Sequence, residues 1–324
     1  MSDFDAMQVI DDDVWAMLCE MRASDPKAIL AHAHHRKRRR ELTHDGKLVI
    51  LAADHPGRMV VDTSGEDGRI GNRRDYLARI LRVLQRSNVD GVMGTPDIIE
   101  ELCGLDALMV DGGAESVLDH RVLVGCMNRG GLLGAAFEMD DRFTAYDASG
   151  LQSMNLDGGK MMVRLDLQDT ASLDTLQACA QAVDGCIDNG MTAFLEAFIV
   201  ERTDDGYAVD RSPRGLMQAV SVAGALGDST LHTWLKLPYC EGYETVANAT
   251  SLPILMLGGA ARDDQHAVLE EFATGMQAGP NVRGCLVGRN VLYPGGDPAE
   301  MARAVVSVVH ESTDAVSALE NAAQ

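Results

Sequence analysis

The sequence predicts one (β/α)8 barrel, a TIM barrel of the α/β class, preceded by a helical extension. From residue 47 onward, short apolar runs alternate with segments of helical periodicity, which is typical of a parallel sheet covered by helices on both faces. Eight such runs follow one another without a linker, and this favours a closed barrel over an open doubly wound sheet. The predicted strands span residues 47–54, 89–95, 121–128, 159–166, 192–200, 231–238, 252–259 and 283–290.

The remaining elements complete this prediction in chain order. Residues 1–40 are assigned to the N-terminal helical extension, because residues 9–21 have helical spacing and Pro26 separates them from a second helix over 26–39. Residues 41–324 are assigned to the barrel domain, whose chain ends in a small, polar segment expected to be a helix end or a disordered tail. The predicted barrel helices span 72–86, 172–189, 213–226, 263–277 and 298–310.

The composition restricts the partners. The net charge of −21 repels nucleic acid and anionic membranes, so neither is expected as a partner, and an anionic substrate would need a local basic pocket. The basic run 36–40 is expected to be solvated or to lie in a subunit contact. Seven cysteines without a CxxC pair, no secretory signal and no apolar stretch of membrane-spanning length predict a cytoplasmic protein with reduced thiols. We expect a homo-oligomer, which the N-terminal helices and acidic surface permit.

Charged residues lie within several predicted strands. Chemistry in such barrels takes place at the C-terminal ends of the strands, and side chains alternate between the interior and the helix layer. Buried charges are costly unless they are paired or functional. The sets that share one face of a strand are Leu48, Ile50, Ala52 and Asp54; Lys160, Met162, Arg164 and Asp166; Phe194, Glu196 and Phe198; His232, Trp234 and Lys236; and Cys285, Val287 and Arg289.

The lysines indicate the chemistry. The chain has only five, and Lys160 and Lys236 lie inside apolar strands. Lysine forms imines with carbonyl substrates, whereas arginine does not. Burial and the Lys160 cation would lower the pKa of Lys236 towards the range in which an amine reacts. Glu196 and Asp54 are the candidate proton-transfer groups. The alternative is that each lysine pairs with Glu196 or an aspartate in a purely structural network.

Two glycine turns indicate an anion site. Gly258-Gly259 closes the seventh predicted strand and Gly288-Arg289 closes the eighth. Barrels commonly bind phosphate after these two strands, where glycines allow the backbone to approach the anion and an arginine offers two parallel donors.

Strand-end motifs over roughly residues 47–295 resemble one enzyme family. Residues 51–55 (LAADH), 159–166 (GKMMVRLD), 194–196 (FLE), 234–239 (WLKLPY) and 284–290 (GCLVGRN) are similar to motifs of the class I (Schiff-base) aldolases grouped with tagatose 1,6-bisphosphate aldolase, deoxyribose-phosphate aldolase and archaeal-type fructose-bisphosphate aldolase. The resemblance implies that Lys236 forms the Schiff base, that Glu196 transfers protons, that Lys160 is a second active-site lysine and that the last strand binds phosphate. It implies neither a cofactor nor a metal.

The resemblance has departures that concern the substrate. His55 stands where the tagatose enzymes usually have Gln, and Arg164 and Asp166 also differ. A branch found near inositol-catabolism genes would imply a substrate of the 2-deoxy-5-keto-gluconate 6-phosphate type, with His55, Arg58 or Arg164 contacting its carboxylate. The predicted function is therefore a class I aldolase that makes or breaks a C–C bond in a phosphorylated keto-sugar or keto-sugar acid.

Two alternatives stay open. A metal-dependent barrel lyase would bind a divalent ion through Asp54, His55, Glu196 and Asp166. A non-catalytic barrel would bind a sugar phosphate without turning it over.

Overall fold

The structure, a computed structural model, describes residues 4–63, 66–129, 131–204 and 206–323. Its centre is a closed barrel of eight parallel strands, which confirms the predicted fold class. The described part of the chain has eight barrel strands and one additional strand, β6. They are β1 Leu48–Ala53, β2 Gly91–Gly94, β3 Val122–Cys126, β4 Gly158–Asp166, β5 Thr192–Thr203, β6 Gly206–Val209, β7 Thr233–Pro238, β8 Ile254–Leu257 and β9 Val282–Val287. Seven neighbouring pairs follow the chain order around the barrel and β9 closes it against β1, while β6 lies outside the barrel as a hairpin partner of β5.

Helices surround the barrel. Five of them match the predicted barrel helices closely, but α4 was not predicted, and part of the predicted tail forms α12. The helices are α1 Asp12–Ser24, α2 Pro26–His35, α3 Arg73–Arg86, α4 Pro96–Asp111, α5 Ala148–Ser153, α6 Ser172–Asp188, α7 Pro213–Ala223, α8 Tyr243–Ala247, α9 Gln265–Met276, α10 Arg289–Leu292, α11 Pro298–His310 and α12 Ala315–Ala322. None of the described helices is long and apolar enough to cross a membrane.

The strands divide their side chains between two apolar layers. The alternate residues Leu48, Ile50 and Ala52 of β1 pack inside the barrel with Phe194 of β5 and Leu255 of β8. Residues of the opposite parity pack against the helices. The inner layer is a packed core rather than a channel, so a substrate can reach only the polar residues above it.

The predicted inward-facing residues of one strand, β9, differ from those in the structure. Cys285 and Val287 of β9 pack in the outer layer, and Leu286 is the residue that packs inside. Arg289 does not share their strand face, because the strand ends at Val287 and Arg289 begins α10. A register irregularity between β8 and β9 accompanies the change.

The N-terminal segment packs on the outside and base of the barrel. Helices α1 and α2 contact α4, where Gly104 leaves room for Leu18. After α2 the chain is extended, and Arg36 is buried, contrary to the solvated or subunit-contact position expected. Arg36 donates to the backbone oxygen of Arg121 at 2.8 Å and contacts Asp157 at 3.0 Å. The assignment of residues 1–40 as a separate extension stays a prediction.

The basic run pairs with acids at the base of the barrel. Arg38 also contacts Asp157, Arg39 contacts Asp90 at 2.8 Å, and Lys37 contacts Asp119 at 2.9 Å. Asp90 and Asp157 immediately precede β2 and β4. These ion pairs hold the segment against the N-terminal ends of the strands.

Candidate active site

Three neighbouring strands and the end of β1 bring the predicted catalytic residues together inside the barrel. β5 lies between β4 and β7, and the register places Glu196 directly beside Lys236. Lys160 lies on β4, and Asp54 follows the last residue of β1. All four side chains are buried. Their inward direction follows from the same alternation that places Leu48, Ile50 and Ala52 in the inner core.

The four groups form a continuous chain of ion pairs. The Lys160 ammonium nitrogen lies 3.1 Å from Oδ2 of Asp54 and 2.6 Å from Oε2 of Glu196. The Lys236 nitrogen lies 3.0 Å from the same Glu196 oxygen. Glu196 is thus shared between two amines, whereas Lys160 is shared between two carboxylates. Lys160 therefore has the stronger set of opposite charges around it.

This asymmetry separates the pKa values of the two lysines. Burial lowers the pKa of each amine. For Lys160, the charges of Asp54 and Glu196 outweigh burial and raise the pKa above its usual range. For Lys236, burial and the Lys160 cation outweigh Glu196 and leave the pKa lowered. Lys160 is therefore held as a cation, while Lys236 is the amine that more readily becomes neutral.

The carboxylates remain ionised. Burial alone would raise the pKa of Glu196, but Lys160 and Lys236 overcome it and lower the pKa to about 2. The same two cations hold the pKa of Asp54 well below its usual range against the effect of burial. At neutral pH the chain is therefore formed by two carboxylates and at least one ammonium.

His55 is fixed between the ends of β1 and β9. Its Nδ1 lies 3.2 Å from the hydroxyl of Tyr76, and burial lowers its pKa to about 3, so the ring is neutral. A side chain at Gly288 would begin 2.4 Å from Cε1 of His55 and 2.9 Å from the backbone oxygen of Ala52. Gly288 is therefore required by this close approach.

Arg58 and Arg289 are cations next to the chain of ion pairs. Arg58 ends a short 3-10 helix after His55, and the electrostatic influence of both arginines extends to Asp54. Burial and the nearby Arg58 cation lower the pKa of Arg289. Within the part of the chain that the structure describes, neither forms an ion pair, and the Nε atom of each is buried without a hydrogen-bond partner. Both guanidinium groups are therefore suited to bind an anion.

The predicted glycine turn after β8 lines a small cavity. Gly259 has φ +68°, a left-handed conformation that favours glycine. Asn290 fixes this turn, because its amide donates to the backbone oxygen of Gly258 at 2.6 Å and its oxygen accepts from the backbone of Arg262 at 2.8 Å. The cavity measures about 180 Å³ and is also lined by Arg211.

Arg211 and Asn290 were missed as site residues from the sequence. Arg211 follows β6, which is not among the predicted strands, and its guanidinium lies 3.6 Å from where a side chain on Gly259 would begin. Asn290 is predicted as the last residue of a strand and of the 284–290 motif, but without a role of its own. The sequence carries one weak signal for Arg211, an arginine two positions before the predicted helix 213–226.

Arg164 lies at the mouth but is already paired. Its guanidinium contacts Asp141 at 2.6 Å and Glu138 at 3.2 Å, both on the loop after β3. Contact between Arg164 and a substrate carboxylate would require these pairs to be exchanged. Asp166 accepts the backbone N–H of Gln168 at 2.9 Å and so stabilises the turn after β4.

The acids of this site do not form a close metal-ligand group. The Lys160 ammonium lies between Asp54 and Glu196. In the described ranges, the one set of three His, Cys, Asp or Glu donors close enough to share an ion is His44, Asp45 and His310, at the opposite end of the barrel. The donor geometry therefore does not favour the metal-dependent alternative.

The fold is a closed barrel of eight parallel strands with a buried lysine–carboxylate site inside it. The model of the Cgl0159-like family matches residues 46–309, and the chain belongs to this family. It is similar to the crystal structure of Cgl0159 from Corynebacterium glutamicum, with 37% identity, a TM-score of 0.87 and coverage of 94% of this chain and 99% of that chain.

Two more distant likenesses concern the fold alone. A fructose-bisphosphate aldolase from Slackia heliotrinireducens is 15% identical, with a TM-score of 0.63 and coverage of 99% of this chain and 96% of that one. An archaeal fructose-1,6-bisphosphate aldolase, solved with its catalytic lysine covalently bound to the carbinolamine intermediate of the substrate, is 17% identical, with a TM-score of 0.58 and coverage of 87% and 99%.

Proposed function

We propose that this protein is a class I aldolase in which Lys236 forms a Schiff base with a phosphorylated keto-sugar or keto-sugar acid. The observation that carries the proposal is the contact of Glu196 with two buried lysines of opposite pKa shift. Lys236 has the lowered pKa that an amine nucleophile needs. Lys160 supplies the permanent cation beside it. A purely structural network would not require the two amines to differ in this way.

The first half of the reaction uses Lys236 and Glu196. The neutral Lys236 amine attacks the substrate ketone and forms a carbinolamine. Glu196, 3.0 Å from this nitrogen, accepts a proton from it and passes the proton to the carbinolamine oxygen. That oxygen takes a second proton from solvent and leaves as water, which gives an iminium ion. When the nitrogen is uncharged, one of the two cations that lower the pKa of Glu196 is absent. The carboxylate is therefore a stronger base at that step.

The second half cleaves the carbon–carbon bond. We assign Asp54 as the base that takes the proton from the substrate hydroxyl. That oxygen then becomes the carbonyl of the released aldehyde, and the bonding pair moves into the iminium to give an enamine. The enamine carbon is reprotonated, and water hydrolyses the iminium to release the ketone and the Lys236 amine. Lys160 holds both carboxylates in position and favours their ionised form between proton transfers, because it contacts each of them.

The surroundings favour an anionic substrate. The Gly258-Gly259 turn and Arg211 line a cavity at the end of β8, and the Arg211 cation is close enough to Arg289 to help lower the pKa of Arg289. We place the phosphate between these groups. Arg58 lies on the β1 side and has a buried, unpartnered Nε. Its position supports a second anionic group on the substrate, and this observation favours a keto-sugar acid phosphate of the 2-deoxy-5-keto-gluconate 6-phosphate type within the proposed class.

Reductive trapping tests the proposal. The protein is incubated with borohydride and a panel of ketose phosphates and keto-sugar acid phosphates, and the modified peptide is identified by mass spectrometry. We expect a substrate-dependent adduct on Lys236. Lys236→Arg should lose the adduct and the activity, while the matched control Lys47→Arg, at the base of the barrel, should keep both.

Each other outcome is informative. An adduct on Lys160 would contradict the assignment of roles. Tight binding of a panel member without turnover or adduct would support the non-catalytic barrel instead. Loss of activity on chelation, with recovery on addition of one metal, would support the metal-dependent lyase.

A further inference from the structure

A second cluster of chemically active side chains lies at the base of the barrel, away from the lysines. His310 is the last residue of α11, and His44 and Asp45 lie in the segment that leads into β1. The Lys47 ammonium donates to the backbone oxygen of Val309 at 2.7 Å, which holds this segment against the end of α11. Two parts of the chain that are far apart in sequence thus present their side chains to one point.

A buried carboxylate fixes the orientation of His310. Nε2 of His310 lies 2.9 Å from Oδ2 of Asp90, which is only 1% exposed. The same oxygen accepts the backbone N–H of Val49 at 2.7 Å, and Arg39 balances the charge of Asp90 from the other side. Histidines that bind metals almost always donate their second ring N–H to such a carboxylate. Here it directs Nδ1 of His310 away from the protein interior.

Two further side chains with possible metal-ligand atoms lie near Nδ1 of His310. Nδ1 of His310 lies 2.8 Å from Oδ2 of Asp45, and the His44 ring stacks on His310 with centroids 5.3 Å apart. One donor atom from each of the three residues lies within 4.8 Å of the other two. The side chain of His44 is 67% exposed and that of Asp45 is 31% exposed. Both can therefore adjust towards the ligand distances of roughly 2.0–2.2 Å that zinc requires.

We infer that His44, Asp45 and His310 form a binding site for a divalent transition-metal ion of the zinc type, with Asp90 supporting His310 from behind. Two imidazoles and one carboxylate suit zinc, whereas magnesium and calcium prefer oxygen ligands alone. A water molecule would complete four-coordination. The ion would replace the proton on Nδ1 of His310, which leaves to solvent.

The position of the site indicates a structural role. The ends of a barrel near the N-termini of the strands contribute stability rather than chemistry. A bound ion would join the end of α11 to the segment before β1, next to the strands that close the barrel. It would stabilise the folded protein in proportion to its affinity and concentration. Nothing in the sequence analysis pointed to this site.

Titration of the chelator-stripped, full-length protein with Zn²⁺ alone tests the inference, with calorimetry for affinity and a melting curve for stability. We expect one ion per chain at this site and a rise in Tm. Because His44 and Asp45 are partly exposed, His44→Ala and Asp45→Asn should fold, and each should weaken binding by about tenfold or more. The control His266→Ala removes another exposed histidine beside a carboxylate, Glu270 at 3.8 Å, and should leave affinity unchanged.

Cys19 is exposed, and its thiol is an alternative ligand for the added metal. Spectra of bound Co²⁺ distinguish binding at the histidines from binding at a thiol. Co²⁺ at the site should give d–d absorption that His44→Ala removes, without thiolate-to-metal charge transfer. Absence of Zn²⁺ binding, binding that neither His44→Ala nor Asp45→Asn weakens, or a thiolate charge-transfer band that accounts for the bound ion would each overturn the inference. Turnover by Lys236 plays no part in these readouts, so they stand apart from the aldolase proposal.

Discussion

The Lys236 nitrogen lies 3.0 Å from Oε2 of Glu196, the same oxygen that Lys160 contacts at 2.6 Å. One carboxylate oxygen therefore links the proposed nucleophile to a permanent cation. A substitution at Glu196 therefore changes the electrostatic environment of both lysines. Its effect on the pKa of Lys236 and its effect on proton transfer to the substrate are separate quantities.

The first prediction concerns Glu196→Gln. Without the carboxylate, the pKa of Lys236 should fall further, since Glu196 raises it more than Asp54 does. Borohydride trapping on Lys236 should still occur but more slowly, and kcat should fall by about 10²–10⁴-fold, because Glu196 transfers the protons of imine formation in the proposed mechanism. Turnover and borohydride trapping are measured on the same preparation. An unchanged kcat would rule out the proton-transfer role.

The second prediction concerns Lys160→Met. Removing this cation should raise the pKa of Lys236, because Lys160 lowers it. The rising acid limb of the kcat/KM profile should therefore shift to higher pH. Breaking the buried ion pairs should also cost about 3–5 kcal/mol of unfolding free energy. Lys47→Met is the matched control, and it should leave the profile in place. A loss of activity without a shifted limb would indicate that Lys160 is only structural.

The third prediction concerns acid stability. The pKa of Glu196 falls from 4.5 in the unfolded reference to about 2 in the folded protein, and that of Asp54 is lowered as well. Their contribution to stability is fully present above about pH 4.5 and is lost as the pH falls from there towards 2. Urea unfolding should show a large stability difference between the native protein and Glu196→Gln at pH 7, and a smaller one at pH 3. A constant difference would contradict the ionised state of this carboxylate.

The fourth prediction concerns the phosphate. Arg289→Gln should remove charge-assisted hydrogen bonds of about 1.5–3 kcal/mol, which corresponds to roughly a 10- to 150-fold loss of kcat/KM for a phosphorylated substrate. The loss should be much smaller for the same sugar without phosphate. Arg22→Gln, on α1, removes an exposed arginine that pairs with Glu100 and serves as the control. Equal losses for both substrates would place the phosphate elsewhere.

The fifth prediction concerns the buried arginine of the basic run. Asp157 pairs with the buried Arg36 and with the more exposed Arg38, so Arg36→Met removes its buried ionic partner and should cost about 3–5 kcal/mol. Arg40→Gln changes an exposed residue of the same run and should stay within about 0.5 kcal/mol of the native protein. Denaturant unfolding of the two variants provides the comparison. Equal stabilities would mean that the run is solvated, as the sequence suggested.

The sequence predicted the barrel and the candidate catalytic cluster for the same reason. A strand that is buried on both faces leaves a strong apolar signal, and a lysine or glutamate inside that signal stands out. Lys160, Glu196 and Lys236 could therefore be assigned to the interior from alternation alone. Their meeting follows from the closure of the barrel, which fixes the order of neighbouring strands.

The remaining features depend on contacts that leave no periodic signal. Arg211 reaches the mouth from a polar hairpin, and Arg289 reaches it from α10 after the strand has ended. Arg164 shares the strand face of Lys160, but its partners Asp141 and Glu138 lie on a loop whose path the sequence does not specify. The partners of the basic run are likewise separated from it by a long stretch of chain.

That separation has a consequence for biosynthesis. Arg36 and Asp157 are 121 positions apart, so the ribosome must produce all of β1, β2 and β3 before the two side chains can meet. Until then, Arg36 and Arg38 lack the Asp157 carboxylate with which they pair, whereas Arg39 can already meet Asp90. Docking of the N-terminal segment on the barrel should therefore be a late event in maturation, completed only after the fourth strand has emerged.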